Sequence, residues 1–165
     1  MNRKDKIDSG VFIAFILISF GIILLPLFKY DDVKAIMIII FGSYFIGNTI
    51  RFFFSRNKYD YDAVMRMLGS LLMVALCLFV NLEIKKNIAI MLMIWVTICS
   101  FIRIKKMDYF NDKKDNKWKI EAITLGLFIV TGIVSSISFI YTNNVANLGY
   151  FVLVSNILNL IIPMD

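Results

Sequence analysis

The sequence predicts an all-α membrane protein of six transmembrane helices with both termini in the cytoplasm. Three observations carry that reading: an apolar composition, apolar runs of the length of a membrane span, and lysines and arginines confined to alternate connections. Of the 165 residues, 59% are hydrophobic, and the mean hydropathy is +0.77, against roughly 45 to 50% apolar usage in soluble domains. Lipid then takes the place of much of the core that a water-soluble chain of this size would have to build. Residues 1–165 are read as a single transmembrane domain.

Crossing about 30 Å of hydrocarbon takes roughly 20 residues of helix at about 1.5 Å each. Six apolar runs approach that length, at approximately 10–28, 33–54, 63–80, 87–104, 120–141 and 148–164. A lipid-embedded barrel would need strict alternation of apolar and polar residues, whereas these runs are apolar on every side. Within one such segment only a helix satisfies its own backbone hydrogen bonds. The first run follows the basic start Arg3, Lys4 and Lys6 and so imitates a signal peptide. It is long and has no A-x-A cleavage pattern, so it is expected to remain as the first anchor.

Orientation follows from where positive charge falls, because lysine and arginine near helix ends are retained in the cytoplasm. The N-terminus and the second-to-third and fourth-to-fifth connections together hold fourteen, and the intervening connections hold four: Lys29, Lys34, Lys85 and Lys86. Adding or dropping one span would scramble this alternation.

The spans pair into units near 11–54, 64–104 and 120–162, of similar length, which suggests three helical-hairpin repeats. Gly21, Pro26, Gly42, Gly47 and the basic end at Arg51 mark the first hairpin, with fainter traces at Gly69, Gly126 and Gly132. In these residues and in its repeated two-helix outline, the chain resembles the HdeD-like family of bacterial membrane proteins, named after an acid-resistance protein. Val74 and Phe79 stand at the glycine and proline positions of the second unit and depart from the pattern. The resemblance implies a protein of the bacterial cytoplasmic membrane with a role in envelope or acid stress. It brings no catalytic residue.

Several function classes lose support from composition. Histidine is absent, which removes the commonest metal ligand and the usual proton shuttle near neutral pH. Cys77 and Cys99 form no CxxC and read as small buried apolar residues. A nucleophile beside a base, paired carboxylates in a protected site and a glycine-rich phosphate loop are all lacking. The expectation is therefore no enzyme, no cofactor and no metal.

Charged residues inside a span are the best pointer to transport. Asp62, Arg66 and Glu121 lie within about a turn of a cytoplasmic helix end, where Arg66 is expected to snorkel to the interface. Asp62 and Arg66 stand four apart and are placed to pair. Neutral polar residues mark the even spans: Ser43, Asn48 and Thr49, then Thr97 and Ser100, then Ser155, Asn156 and Asn159. These spans are expected to face one another. Of these residues, Ser43, Asn48, Thr97, Asn156 and Asn159 fit either of two readings, hydrogen bonds joining helices or the lining of a polar cavity for a small neutral solute.

Small residues four apart, Ser43 with Gly47, Ala122 with Gly126 and Gly132 with Ser136, read as packing seams, within one chain or between copies. The basic connection carries Arg103, Lys105, Lys106, Lys113, Lys114, Lys117 and Lys119 among aromatic residues, which suits contact with anionic lipid headgroups. Membrane lipid is the expected partner, with a further copy or another membrane protein next and nucleic acid excluded. Three functional expectations remain: a stress-related membrane protein without enzymatic activity, a small transporter or channel for a neutral solute, and an accessory subunit of a larger membrane complex.

Overall fold

The computed structural model describes residues 3–29, 32–54, 61–112 and 116–161. Among the described residues it is helical throughout, in the order α1 (Arg3–Leu24), α2 (Val33–Phe54), α3 (Tyr61–Phe79), α4 (Lys85–Asp112), α5 (Lys117–Thr142) and α6 (Ala146–Ile161), with one 3-10 turn, Leu25–Phe28, after α1. Five helices are long and apolar enough to cross a membrane. The sixth has 16 residues, about 24 Å at 1.5 Å per residue, against a hydrocarbon core of about 30 Å. The last part of the sixth expected span, 162–164, lies outside the described residues.

The expected boundaries agree with the helices to within a few residues except at the start of α1, which begins at Arg3, seven residues before Gly10, and at the end of α4, which continues eight residues past Ile104 to Asp112. Hydropathy follows only the apolar part of a helix, and the helix there continues through charged residues. Helix ends in the short connections have local causes. Pro26 lies in the first turn of the 3-10 segment, which Lys29 closes in a left-handed conformation (φ 56°). Asp32 Oδ1 accepts the Ala35 N–H at 3.0 Å and caps α2. Asn143 (φ 52°) ends α5 with its N–H on the Phe139 carbonyl, and Asn144 Oδ1 accepts the Ala146 N–H to start α6.

The helices form a closed ring in chain order, because α6 packs back along α1 as well as α5. The most extensive packing is α4 on α5, α1 on α6 and α2 on α3; the pairs α1/α2, α3/α4 and α5/α6, expected as hairpin units, pack less extensively. Glycine makes three of the approaches close. A Cβ on Gly149 would lie 2.9 Å from the Ile23 nitrogen and 3.0 Å from the Ser19 carbonyl, so α6 rests on the α1 backbone there. A Cβ on Gly47 would strike Phe15, and one on Gly132 would strike Val96. A Cβ on Gly126 would meet nothing within 4 Å among the described residues, so at Gly126 the expected seam with Ala122 is not packed by another described helix.

The ring is filled by aromatic side chains. Tyr44 of α2 stacks on Trp95 of α4 with centroids 5.3 Å apart, and Phe41 meets the same indole edge-on at 5.4 Å. Asn156 of α6 donates to the Tyr44 hydroxyl at 2.9 Å. The even helices thus meet only through long side chains, while their backbones pack on the odd-numbered neighbours. The periphery carries Leu17, Ile46, Leu68, Ile90, Ile123 and Val134, each about half exposed or more. A polar-containing interior inside an aliphatic exterior is the arrangement that lipid favours.

Candidate functional site

The start of α1, the ends of α2, α4 and α6 and the starts of α3 and α5 lie at one end of the ring, and there several charged side chains turn inward. Arg51, three residues before the end of α2, is 1% exposed, and Arg103 and Glu121 are 3% and 0% exposed. Asp62, in the first turn of α3, takes Arg51 Nη2 on Oδ2 at 3.0 Å and Arg66 Nε on Oδ1 at 2.7 Å. Glu121, one turn into α5, accepts Arg103 Nη1 on Oε2 at 3.2 Å. Its other oxygen, Oε1, has no aligned hydrogen bond but faces the Lys106 ammonium at 3.2 Å. Each carboxylate is therefore shared by two cations.

Asn159 of α6 joins the two halves: its Oδ1 accepts Arg103 Nη2 at 2.7 Å and Arg66 Nη2 at 3.4 Å. Thr124 adds an acceptor for Arg103 Nη1 at 3.2 Å, and Asn48 accepts Arg51 Nη1 at 3.0 Å. Aromatic faces cover the guanidiniums, Phe12 of α1 at 5.0 Å from Arg51 and Phe128 at 5.5 Å from Arg103. All six helices thus contribute a side chain. Isolated charges so far from water would be costly, and mutual pairing with hydrogen bonds is what makes their burial tolerable.

At the centre lies a cavity of ≈ 10 Å³ lined by Phe12, Asp62, Arg66, Ile102, Arg103, Lys106, Glu121 and Asn159, about the space of one water molecule. A second, larger space of ≈ 570 Å³ is an apolar groove between α4 and α5, open to the side of the ring. Thr97 and Ser136 line it, together with aliphatic residues such as Ile94 and Ile137.

The polar residues singled out by sequence separate into two groups. Asn48, Asn156 and Asn159 join the interior; Asn48 also donates to the Tyr44 carbonyl at 2.7 Å. Ser43 and Thr97 instead bond the carbonyls of Ile39 and Met93, four residues back on their own helices, and Thr97 is exposed in the side groove. The Asp62–Arg66 pair expected from their spacing forms.

Two expectations need correction. Arg66, expected to snorkel outward, is only 9% exposed and turns into the ring because Asp62 and Asn159 offer acceptors there. Arg103, expected at lipid headgroups, is buried on Glu121, Thr124 and Asn159. Lys106 is partly drawn in by Glu121. Lys105 and Lys119 are exposed and Lys117 is half-buried, while Lys113 and Lys114 lie outside the described residues.

A register in the sequence marks this network. The even helices carry Gly47-Asn48 before Arg51, Cys99-Ser100 before Arg103 and Ser155-Asn156 before Asn159, a small residue and a polar residue four and three positions ahead of the network side chain. The following helices open on the carboxylates Asp62 and Glu121. Read together, these spacings would have singled out the cluster.

Comparison with known proteins finds no matching family model, no matching curated protein and no matching solved structure. Among the described residues the chain is all-helical, with five helices long and apolar enough to cross a membrane, the architecture of a multi-pass membrane protein, and its activity must be argued from the site.

Proposed function

We propose that the protein is a non-enzymatic, six-span protein of the cell membrane whose charge network closes the ring at the cytoplasmic face, and that it serves in envelope or acid stress tolerance. The observation that carries this reading is the pairing of Asp62 and Glu121 with two cations each, drawn from five helices with Asn159 included. Such an end is built to hold helices in one arrangement. The stacked Tyr44 and Trp95 across the middle support action through packing or a membrane partner rather than conduction. The excess of lysine and arginine at the network end supports its cytoplasmic placement.

The recurring register at Arg51, Arg103 and Asn159 supports three hairpin repeats and, with them, an HdeD-like origin. α6 would complete the sixth crossing by lying against α1 and α5, which share the contact with lipid. Deleting the gene and measuring survival at low pH together with membrane permeability tests the functional reading. Loss of survival is expected; unchanged survival and permeability would contradict it. Flux of small neutral solutes in proteoliposomes would favour a transporter instead, and co-purification of another membrane protein in mild detergent would favour an accessory subunit.

A further inference from the structure

We propose that the cavity inside the charge network is a binding site for one small monovalent anion of halide size. The site does not depend on a role in stress tolerance. Its wall carries three cations, Arg66, Arg103 and Lys106, and two carboxylates, Asp62 and Glu121, and Arg51 on Asp62 adds a fourth cation, so positive charge is in excess.

Donors and acceptors are equally unmatched. Both carboxylates are already shared by two cations, and the Asn159 oxygen by two guanidiniums. Arg66 is 9% exposed, and its bonds use Nε and Nη2; Nη1 finds no acceptor among the described residues. A guanidinium has five N–H groups and no acceptor of its own. A water molecule placed here could donate one hydrogen to Glu121 Oε1, which has no aligned hydrogen bond, but its second would find no open acceptor among the described lining residues, whereas a halide only accepts.

Size sets the class. A space of ≈ 10 Å³ holds about one water-sized sphere, so a phosphate or carboxylate would have to force the network open. Access runs past Lys106, whose side chain is 27% exposed. A halide shares its anionic chemistry with the phosphate of a lipid headgroup, and the experiment separates the two sources.

The full-length protein in nanodiscs of zwitterionic lipid would be unfolded thermally in sodium gluconate, chloride or bromide at constant ionic strength. A midpoint that rises saturably with chloride and bromide over gluconate is expected, since a ligand stabilises the folded state it binds. N159D sets a carboxylate against the same two guanidiniums and R66Q removes the open donor; each should weaken the apparent halide affinity at least about tenfold. N159D replaces one acceptor by another and preserves the pairing, so its folding is not in doubt even where R66Q is unstable. Bromide diffusion into crystals should place an anomalous scatterer between Arg66 and Arg103. Equal midpoints in halide and gluconate would overturn the proposal, as would a halide effect unchanged in N159D. Stabilisation by phosphatidylglycerol without any halide effect would overturn it too, by assigning the site to a lipid phosphate.

Discussion

Arg103 and Glu121 lie eighteen residues apart in the chain and meet at 3.2 Å inside the ring, 3% and 0% exposed. Their pairing fixes the end of α4 to the start of α5 whatever course the connection takes. Lys106 binds the second oxygen of the same carboxylate, so α4 grips Glu121 from two successive turns. Removing one partner of such a buried pair leaves an uncompensated charge, which costs far more than the pair itself is worth.

Glu121→Gln is accordingly expected to destabilise the protein by about 3 to 5 kcal/mol, read as a lower unfolding midpoint in detergent. The double variant Arg103→Met with Glu121→Leu should recover most of that loss, because Lys106 is near enough to the surface to turn to water. A double variant no more stable than Glu121→Gln would show that the pair is not the source of the effect.

Between Tyr44 and Trp95 the stacking contact carries the middle of the ring. Trp95→Ala should cost about 3 to 5 kcal/mol through the cavity it leaves. Tyr44→Phe keeps the ring and loses only the acceptor for Asn156, which retains the Val152 carbonyl at 2.7 Å, so about 1 kcal/mol is expected. Chemical or thermal unfolding of the two variants in one detergent gives the comparison.

Glycine substitutions should divide by what each Cβ meets. Gly149→Ala drives a methyl group into the α1 backbone and should destabilise by about 1 to 3 kcal/mol. Gly126→Ala meets nothing within 4 Å and should be neutral or stabilising by up to about 1 kcal/mol from helix propensity. A loss at Gly126 in a self-associating preparation, absent from monomer, would place that seam between copies.

The basic residues should likewise separate. Lys105→Gln and Lys119→Gln remove exposed charges and should weaken retention of anionic lipid, by about 1 kcal/mol each, with little change in stability. Arg103→Gln should do the reverse. Native mass spectrometry of bound phosphatidylglycerol and an unfolding curve on the same samples check both.

Helix positions were legible in the sequence because lipid imposes a minimum span length, and α2 ends where its apolar run does. The end of α4 was not, since residues after Ile104 are helical yet charged. Asn156 and Asn159 were recognisable as interior groups because an amide within an apolar run needs a partner. Arg66 and Arg103 were misplaced for the opposite reason: a charge near the end of a run reads as interfacial, and one-dimensional hydropathy does not tell which side of the helix it leaves from. Asp62 and Glu121 lie on helices separated by α4, so their convergence with Asn159 becomes visible only when the ring closes.

The central claim is that alternate ends of this ring lie on opposite sides of a membrane, with the charge network at the cytoplasmic face. With Cys77 and Cys99 replaced by alanine, single cysteines at Lys119 and at Asn143 can be probed with an impermeant thiol reagent in sealed right-side-out vesicles. Labelling at Asn143 and protection at Lys119 until the vesicles are opened is the predicted result. Equal labelling of both positions from outside would contradict it.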